Sequence, residues 1–255
     1  MKVNEVISDF LYIHTKSAEN YALSCGISFQ EFATVFSEEL QHLLLLQHPV
    51  DFPSFHFPTR FDYVQKEDLA SLVTDIKENS DFSWVDFGDL AGLDELTGEE
   101  IGQLLYFAHM KKPLYSPLFN RLNNHFAYLS YNEGLTTQTY YRDFNQFYSM
   151  LSTVIVNKLV MHKKEKKLFS KKTMKVAPIP TEILKHLEEK LNEGVAFSLV
   201  KSVISRGKVQ VPFWIMGDYQ DLNEMKEDFG EKSRRNASGM LMYDRREKEW
   251  QLYFS

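Results

Sequence analysis

The chain of 255 residues holds a single cysteine, Cys25. An intramolecular disulfide is therefore excluded, and one thiol without Cys/His spacing around it argues against a structural zinc site. Long apolar runs are also missing, since no window approaches the eighteen or so unbroken apolar residues that a membrane-spanning helix needs. Polar and acidic side chains interrupt the opening residues Met1 to Asp9, which therefore lack the apolar core of a signal peptide. The expectation is a soluble, cytoplasmic protein. Catalytic signatures are absent too. There is no Gly-x-Ser-x-Gly, phosphate loop, dinucleotide fingerprint or His-Glu-x-x-His, and Gly88, Gly92, Gly98 and Gly102 are too widely spread to cradle a phosphate. No cofactor and no metal is expected.

What is present is aromatic and acidic. The net charge of -6 disfavours nonspecific attraction to nucleic acid for the chain as a whole. Twenty Phe and thirteen Tyr argue against disorder, which needs few large apolar groups. At this length the chain buries about three quarters of the surface its unfolded form exposes, so a core of ordinary stability needs no staple.

One short pattern occurs twice. Gly88-Asp89-Leu90-Ala91-Gly92-Leu93-Asp94-Glu95-Leu96 is echoed by Gly217-Asp218-Tyr219-Gln220-Asp221-Leu222-Asn223-Glu224-Met225, with four of nine positions identical. Each copy follows a Trp-containing apolar run, and each precedes a helical stretch and an alternating aromatic segment. Strand, turn, helix and hairpin in that order suggest a structural duplication.

Val3, Val6, Ile7, Phe10 and Ile13 recur at helical spacing, and Ser28-Phe29-Gln30-Glu31 is a capping box ahead of Phe32, Val35, Phe36, Leu40, Leu43 and Leu44. This reads as a helical hairpin over 1–48. A first α/β unit follows over 62–142, with a helix opening at the capping box Thr97 to Glu100 and a hairpin broken at Asn132-Glu133-Gly134. A helix over 143–161 completes an N-terminal lobe, 1–161. Residues 162–180 form a basic linker, and 181–255 a second α+β unit closing in a hairpin split by Asp244 to Glu249. The fold class expected is α+β: a helical N-terminal part plus two units, each helix-strand-helix-hairpin.

Candidate sites carry plain readings beside sharp ones. Asp89 and Asp218 stand where a strand gives way to a helix, a usual place for active sites, yet also for an N-cap or turn residue. With Asp86, His109 or His125 in a cleft between units they could serve a hydrolytic or metal-assisted enzyme. Lone helical histidines are more often packing residues than bases. Lys163, Lys164, Lys166, Lys167, Lys171, Lys172 and Lys175 form a basic patch that could meet a phosphate backbone, or simply be solvated. Strand tyrosines, Tyr128, Tyr140 and Tyr243 among them, could stack bases, but β propensity explains them as well. The leading expectation is a binding or regulatory protein without catalytic activity. It would hold a protein partner through Tyr115, Phe119, Tyr131 and Tyr141, on the hairpins and the Pro/Tyr-rich segment Lys112 to Phe119. Nothing in the pattern determines the oligomeric state.

Overall fold

A computed structural model describes residues 10–51, 53–76, 80–165, 175–205, 207–219 and 221–255. Strand β1 (Phe10–Lys16) leads through a 3-10 turn, Ser17–Glu19, into β2 (Tyr21–Cys25). Phe10 to Thr15 are all buried, so β1 is covered on both faces, and such a strand is an unbroken apolar run rather than an alternating one. Helix α1 (Phe29–Val35) begins at Ser28, whose hydroxyl accepts from the Glu31 amide at 3.2 Å while the Ser28 amide donates to Glu31 Oε2 at 2.9 Å. Two orphan amides are satisfied reciprocally, which is why the chain turns helical there.

Next come β3 (His42–Gln47), β4 (Ser54–His56), β5 (Phe61–Val64) and helix α2 (Leu69–Asp75). Strand β6 (Ser83–Phe87) precedes helices α3 (Leu90–Asp94) and α4 (Gly98–Met110). β7 (Phe126–Tyr131) and β8 (Thr136–Tyr141) make a hairpin whose turn holds Asn132, Glu133 and Gly134 at positive φ. After α5 (Asn145–Glu165) follow α6 (Thr181–Lys185), α7 (Glu188–Glu193), β9 (Val195–Ser198), β10 (Val203–Ser205) and β11 (Lys208–Ile215). Helix α8 (Leu222–Lys232) and the hairpin β12 (Gly239–Asp244) and β13 (Glu249–Phe254) end the chain.

Two compact units divide these elements. The terminal unit takes Met1–Ser17, Ser24–Gly26 and Asn145–Ser255, and the inserted unit takes Ala18–Leu23 and Ile27–Phe144. Strands of the inserted unit are ordered β4-β5-β3-β6-β7-β8; those of the terminal unit run β13-β12-β11-β9-β1, with β10 turned back on β11. The registers within both are antiparallel.

Alternation along β6 sorts the core of the inserted unit. Val85 and Phe87 join Leu93 of α3 and Leu104 and Phe107 of α4 on one face. Trp84, pointing the other way, stacks on Tyr128 at 5.2 Å and 7°, with Phe29 and Phe32 of α1 edge-on to the indole. In the terminal unit, Phe147, Leu151, Ile155 and Leu159 of α5 are buried, as are Phe197, Val209, Val211 and Phe213 of its strands.

The architecture differs from the one expected. Among the described residues thirteen strands in mostly antiparallel pairing dominate, in place of a helical N-terminal part and two helix-strand-helix-hairpin units. No helical hairpin spans the described residues up to 48: Phe10–Lys16, Tyr21–Cys25 and His42–Gln47 are strands. Leu43, Leu44, Leu45 and Leu46 favour helix by propensity, but β3 lies between β5 and β6 with Leu43 to Leu45 fully buried, and pairing on both sides overrides that preference. Val3, Val6 and Ile7 lie outside the described residues. Helix α5, expected to close an N-terminal lobe, belongs to the terminal unit.

Candidate functional site

The β6–β7 ladder pairs Trp84 with Tyr128 and Val85 with Ala127, and a side chain takes over at the next position. Asp86 Oδ1 accepts from the Phe126 amide at 2.6 Å, and both carboxyl oxygens accept from the His125 amide, at 3.1 and 3.0 Å. Asp86 is 3% exposed, and burial pushes its pKa up to about 7 against the opposing pull of these amides and of the Arg142 guanidinium. A carboxyl titrating near neutrality suits proton transfer. This one faces main-chain amides and is closed off from solvent, so it fastens the start of β7 rather than meeting a substrate.

Asn124, fully buried, does the same for the segment before β7. Its side-chain amide donates to the Pro117 and Phe126 carbonyls at 3.0 Å each, and its Oδ1 accepts from the Phe119 amide at 2.7 Å. Arg142 Nε donates to the Asn124 carbonyl at 2.7 Å and Nη2 to the Phe119 carbonyl at 3.3 Å. Gly88 donates to the Leu122 carbonyl at 2.9 Å, which ties the same segment to the end of β6. At the other end Lys111, the left-handed C-cap of α4, is held by Tyr131, whose hydroxyl donates to the Lys111 carbonyl at 2.8 Å. The Lys111 ammonium donates to Ser83 Oγ at 2.9 Å and to Gln47, and its burial lowers its pKa.

Between these fastenings the chain turns outward. Leu114 is 57% and Tyr115 68% exposed, and Leu105 and Met110 on the preceding helix are 51% and 53% exposed. A second exposed aromatic pair, Phe55 and Phe57 on the β4 edge, is partly self-covered. Its rings meet edge-on at 5.3 Å, and the Arg60 guanidinium lies 5.9 Å from the Phe57 ring centre.

The two Gly-Asp corners take unlike roles. Asp89 caps α3, accepting from the Gly92 amide at 2.9 Å. Asp218 is not the cap of α8; its Oδ1 lies 3.3 Å from His14 Nδ1, and Asp221 caps α8 instead. The other His14 nitrogen, Nε2, sits 3.2 Å from the Asn192 carbonyl, so neither ring nitrogen is open to a substrate. His109 is exposed on the last turn of α4, and His125 donates its amide to Asp86. Asp89, Asp86 and His125 thus share one region of the inserted unit in structural roles, and no contact among the described residues joins the His109 and His125 rings.

Of the residues expected to meet a partner, Tyr115 alone is freely exposed. Phe119 and Tyr141 are buried, which removes them from direct contact, and the hydroxyl of the half-buried Tyr131 is engaged by Lys111 and Gln138. Tyr128, Tyr140 and Tyr243 are buried as well, so they offer no open platform for bases. Lys166, Lys167, Lys171 and Lys172 lie outside the described residues, as do the side chains of Lys163 and Lys164. Among the described residues no three His, Cys, Asp or Glu side chains converge as a metal site requires, and no helix is long and apolar enough to cross a membrane.

His14, Asn124, Arg142 and Asn192 carry no motif that marks them in the sequence. His14 and Asn192 lie 178 residues apart, and Arg142 lies 18 and 23 residues from its acceptors, so no local pattern marks these three. The doublet Asn123-Asn124 ahead of a strand was the one available signal for Asn124, as amides favour turns.

Compared with known proteins, the chain matches no protein-family model, no curated protein and no solved structure.

Proposed function

We propose that this chain is a protein-binding module without catalytic activity, and that its contact surface is the C-terminal half of α4 together with the segment Lys112 to Ser116. The carrying observation is the Leu114-Tyr115 tip: two large apolar side chains more than half exposed on a segment whose flanks are secured by buried and part-buried hydrogen bonds. Apolar groups clustered in solvent mark contact surfaces. A segment ordered beforehand loses little conformational freedom on binding, so its apolar contacts are not offset by an ordering cost. Tyr115 and Met110 are also residue types enriched where partners meet.

The test is photo-crosslinking from position 115 in the cells that produce the protein. The reading expects a discrete crosslinked protein, co-purifying in fixed ratio with the wild-type chain and lost with Leu114→Ala/Tyr115→Ala. A diffuse ladder, or a complex indifferent to that double variant, would remove the assignment.

A further inference from the structure

The segment that bears Leu114 and Tyr115 is poor in acidic residues. The chain carries 35 acidic residues and a net charge of -6, yet from Ile101 to Asn132, a stretch of 32 residues, it has no Asp or Glu. The same stretch contains Lys111, Lys112 and Arg121. Lys112 is exposed two positions from Leu114. The acid just before the stretch, Glu100, is neutralised by Arg121, whose guanidinium approaches its Oε1 to 2.8 Å. The acid whose field reaches Lys111, Asp81, has Oδ1 turned to the Gly134 amide at 3.2 Å. An apolar tip is thus set beside an exposed lysine, Lys112, in an acid-free stretch of an acidic chain.

We infer that the occupant of this surface is an acidic protein segment bearing apolar side chains, its leucines or aromatics against Leu114, Tyr115 and Met110 and its carboxylates toward Lys112. The inference rests on the docking reading above and adds the partner's chemistry to it. Charge at such an exposed rim selects among partners and speeds encounter more than it tightens the complex, so the preference is moderate and screened by salt. A second copy of this chain fits less well in general charge, because two copies at -6 repel.

The test is selection of a random peptide library on the immobilised full chain, with the Leu114→Ala/Tyr115→Ala variant as the subtracting control. Selected peptides are expected to combine apolar residues with a net negative charge. For a selected peptide, replacing its acids by Lys should weaken binding roughly tenfold at low salt, and Lys112→Glu should reproduce several-fold of that loss. Peptides that are enriched but neutral or basic would overturn the acidic assignment while leaving the docking surface in place. No enrichment over the double variant would overturn both. Self-association abolished by Tyr115→Ala, or oligothymidine binding abolished by Lys112→Glu, would overturn the assignment in favour of a second copy or of nucleic acid.

Discussion

Gly88-Asp89 and Gly217-Asp218 are the same dipeptide, each following a Trp-bearing strand, and they do different work. In the inserted unit Asp89 holds extended backbone, φ -153 and ψ 165, and caps α3 directly. In the terminal unit the cap moves on to Asp221, which accepts from the Asn223 and Glu224 amides at 2.7 and 3.0 Å, and Asp218 is left to meet His14. What separates the corners is the packing behind them. Tyr12 donates to the Gly217 carbonyl at 2.5 Å, and Lys232 to the Met216 carbonyl at 2.7 Å. The Tyr219 hydroxyl donates to Asp228, so the chain runs on past Asp218 before it can turn helical. The first corner has instead a carbonyl at close quarters: a Cβ on Gly92 would come within 2.4 Å of the Arg121 carbonyl oxygen. A dipeptide proposes a turn, and its neighbours decide whether the acid caps or pairs.

Glycine substitutions should separate the corners most strongly. Gly194 has φ +95, and a Cβ there would lie 2.2 Å from the Gly217 carbonyl oxygen, so Gly194→Ala meets both backbone strain and a clash and should cost about 4 kcal/mol. Gly92→Ala meets only the clash and should cost about 2 kcal/mol. Urea unfolding of the two variants measures the difference, and equal losses would erase it.

Asp86 comes next. Asp86→Ala leaves the buried Phe126 amide and the part-buried His125 amide without acceptors and should cost about 3 kcal/mol. Its pH dependence has a definite sign. The folded-state pKa of about 7 lies above the ordinary carboxylate value, so the folded form binds the proton more tightly than the unfolded chain does. Stability from this group is complete below about pH 4 and declines as the pH rises to about 7, by on the order of 3 kcal/mol. Asp86→Asn should flatten that slope in a series of melts across the range. A wild type without the slope would show that the carboxyl ionises at its ordinary value.

The caps offer a finer contrast. Asp89→Ala and Asp221→Ala should each lose about 1 kcal/mol, whereas Asp218→Ala should lose less than about 0.5, because its pair with His14 leaves the carboxylate half in solvent. A loss at Asp218 matching that at Asp89 would restore the equivalence of the corners. The smallest stability effects belong to the tip. Leu114→Ala and Tyr115→Ala should change stability by less than about 0.5 kcal/mol, since their side chains are mostly solvated, and their effect should appear in binding instead.

The residues themselves determined what is local. Ser28 with Glu31 and Thr97 with Glu100 are capping boxes in the structure as in the sequence, because a cap needs only residues three apart. The β7–β8 and β12–β13 hairpins follow from aromatic runs broken by turn residues, and their pairing involves neighbours in the chain. The single cysteine ruled out an internal disulfide without reference to any fold. Tertiary structure decided the rest. Phe10 to Ile13 and Leu43 to Leu46 carry apolar spacing that a helix and a doubly covered strand satisfy alike, and only their distant partners, β9 for the first and β5 and β6 for the second, resolve it. The burial of Asp86, the outward turn at Tyr115 and the pairing of His14 with Asp218 depend on contacts between residues far apart in the chain. Local propensity is worth tenths of a kcal/mol per residue, and the burial of a whole strand outweighs it.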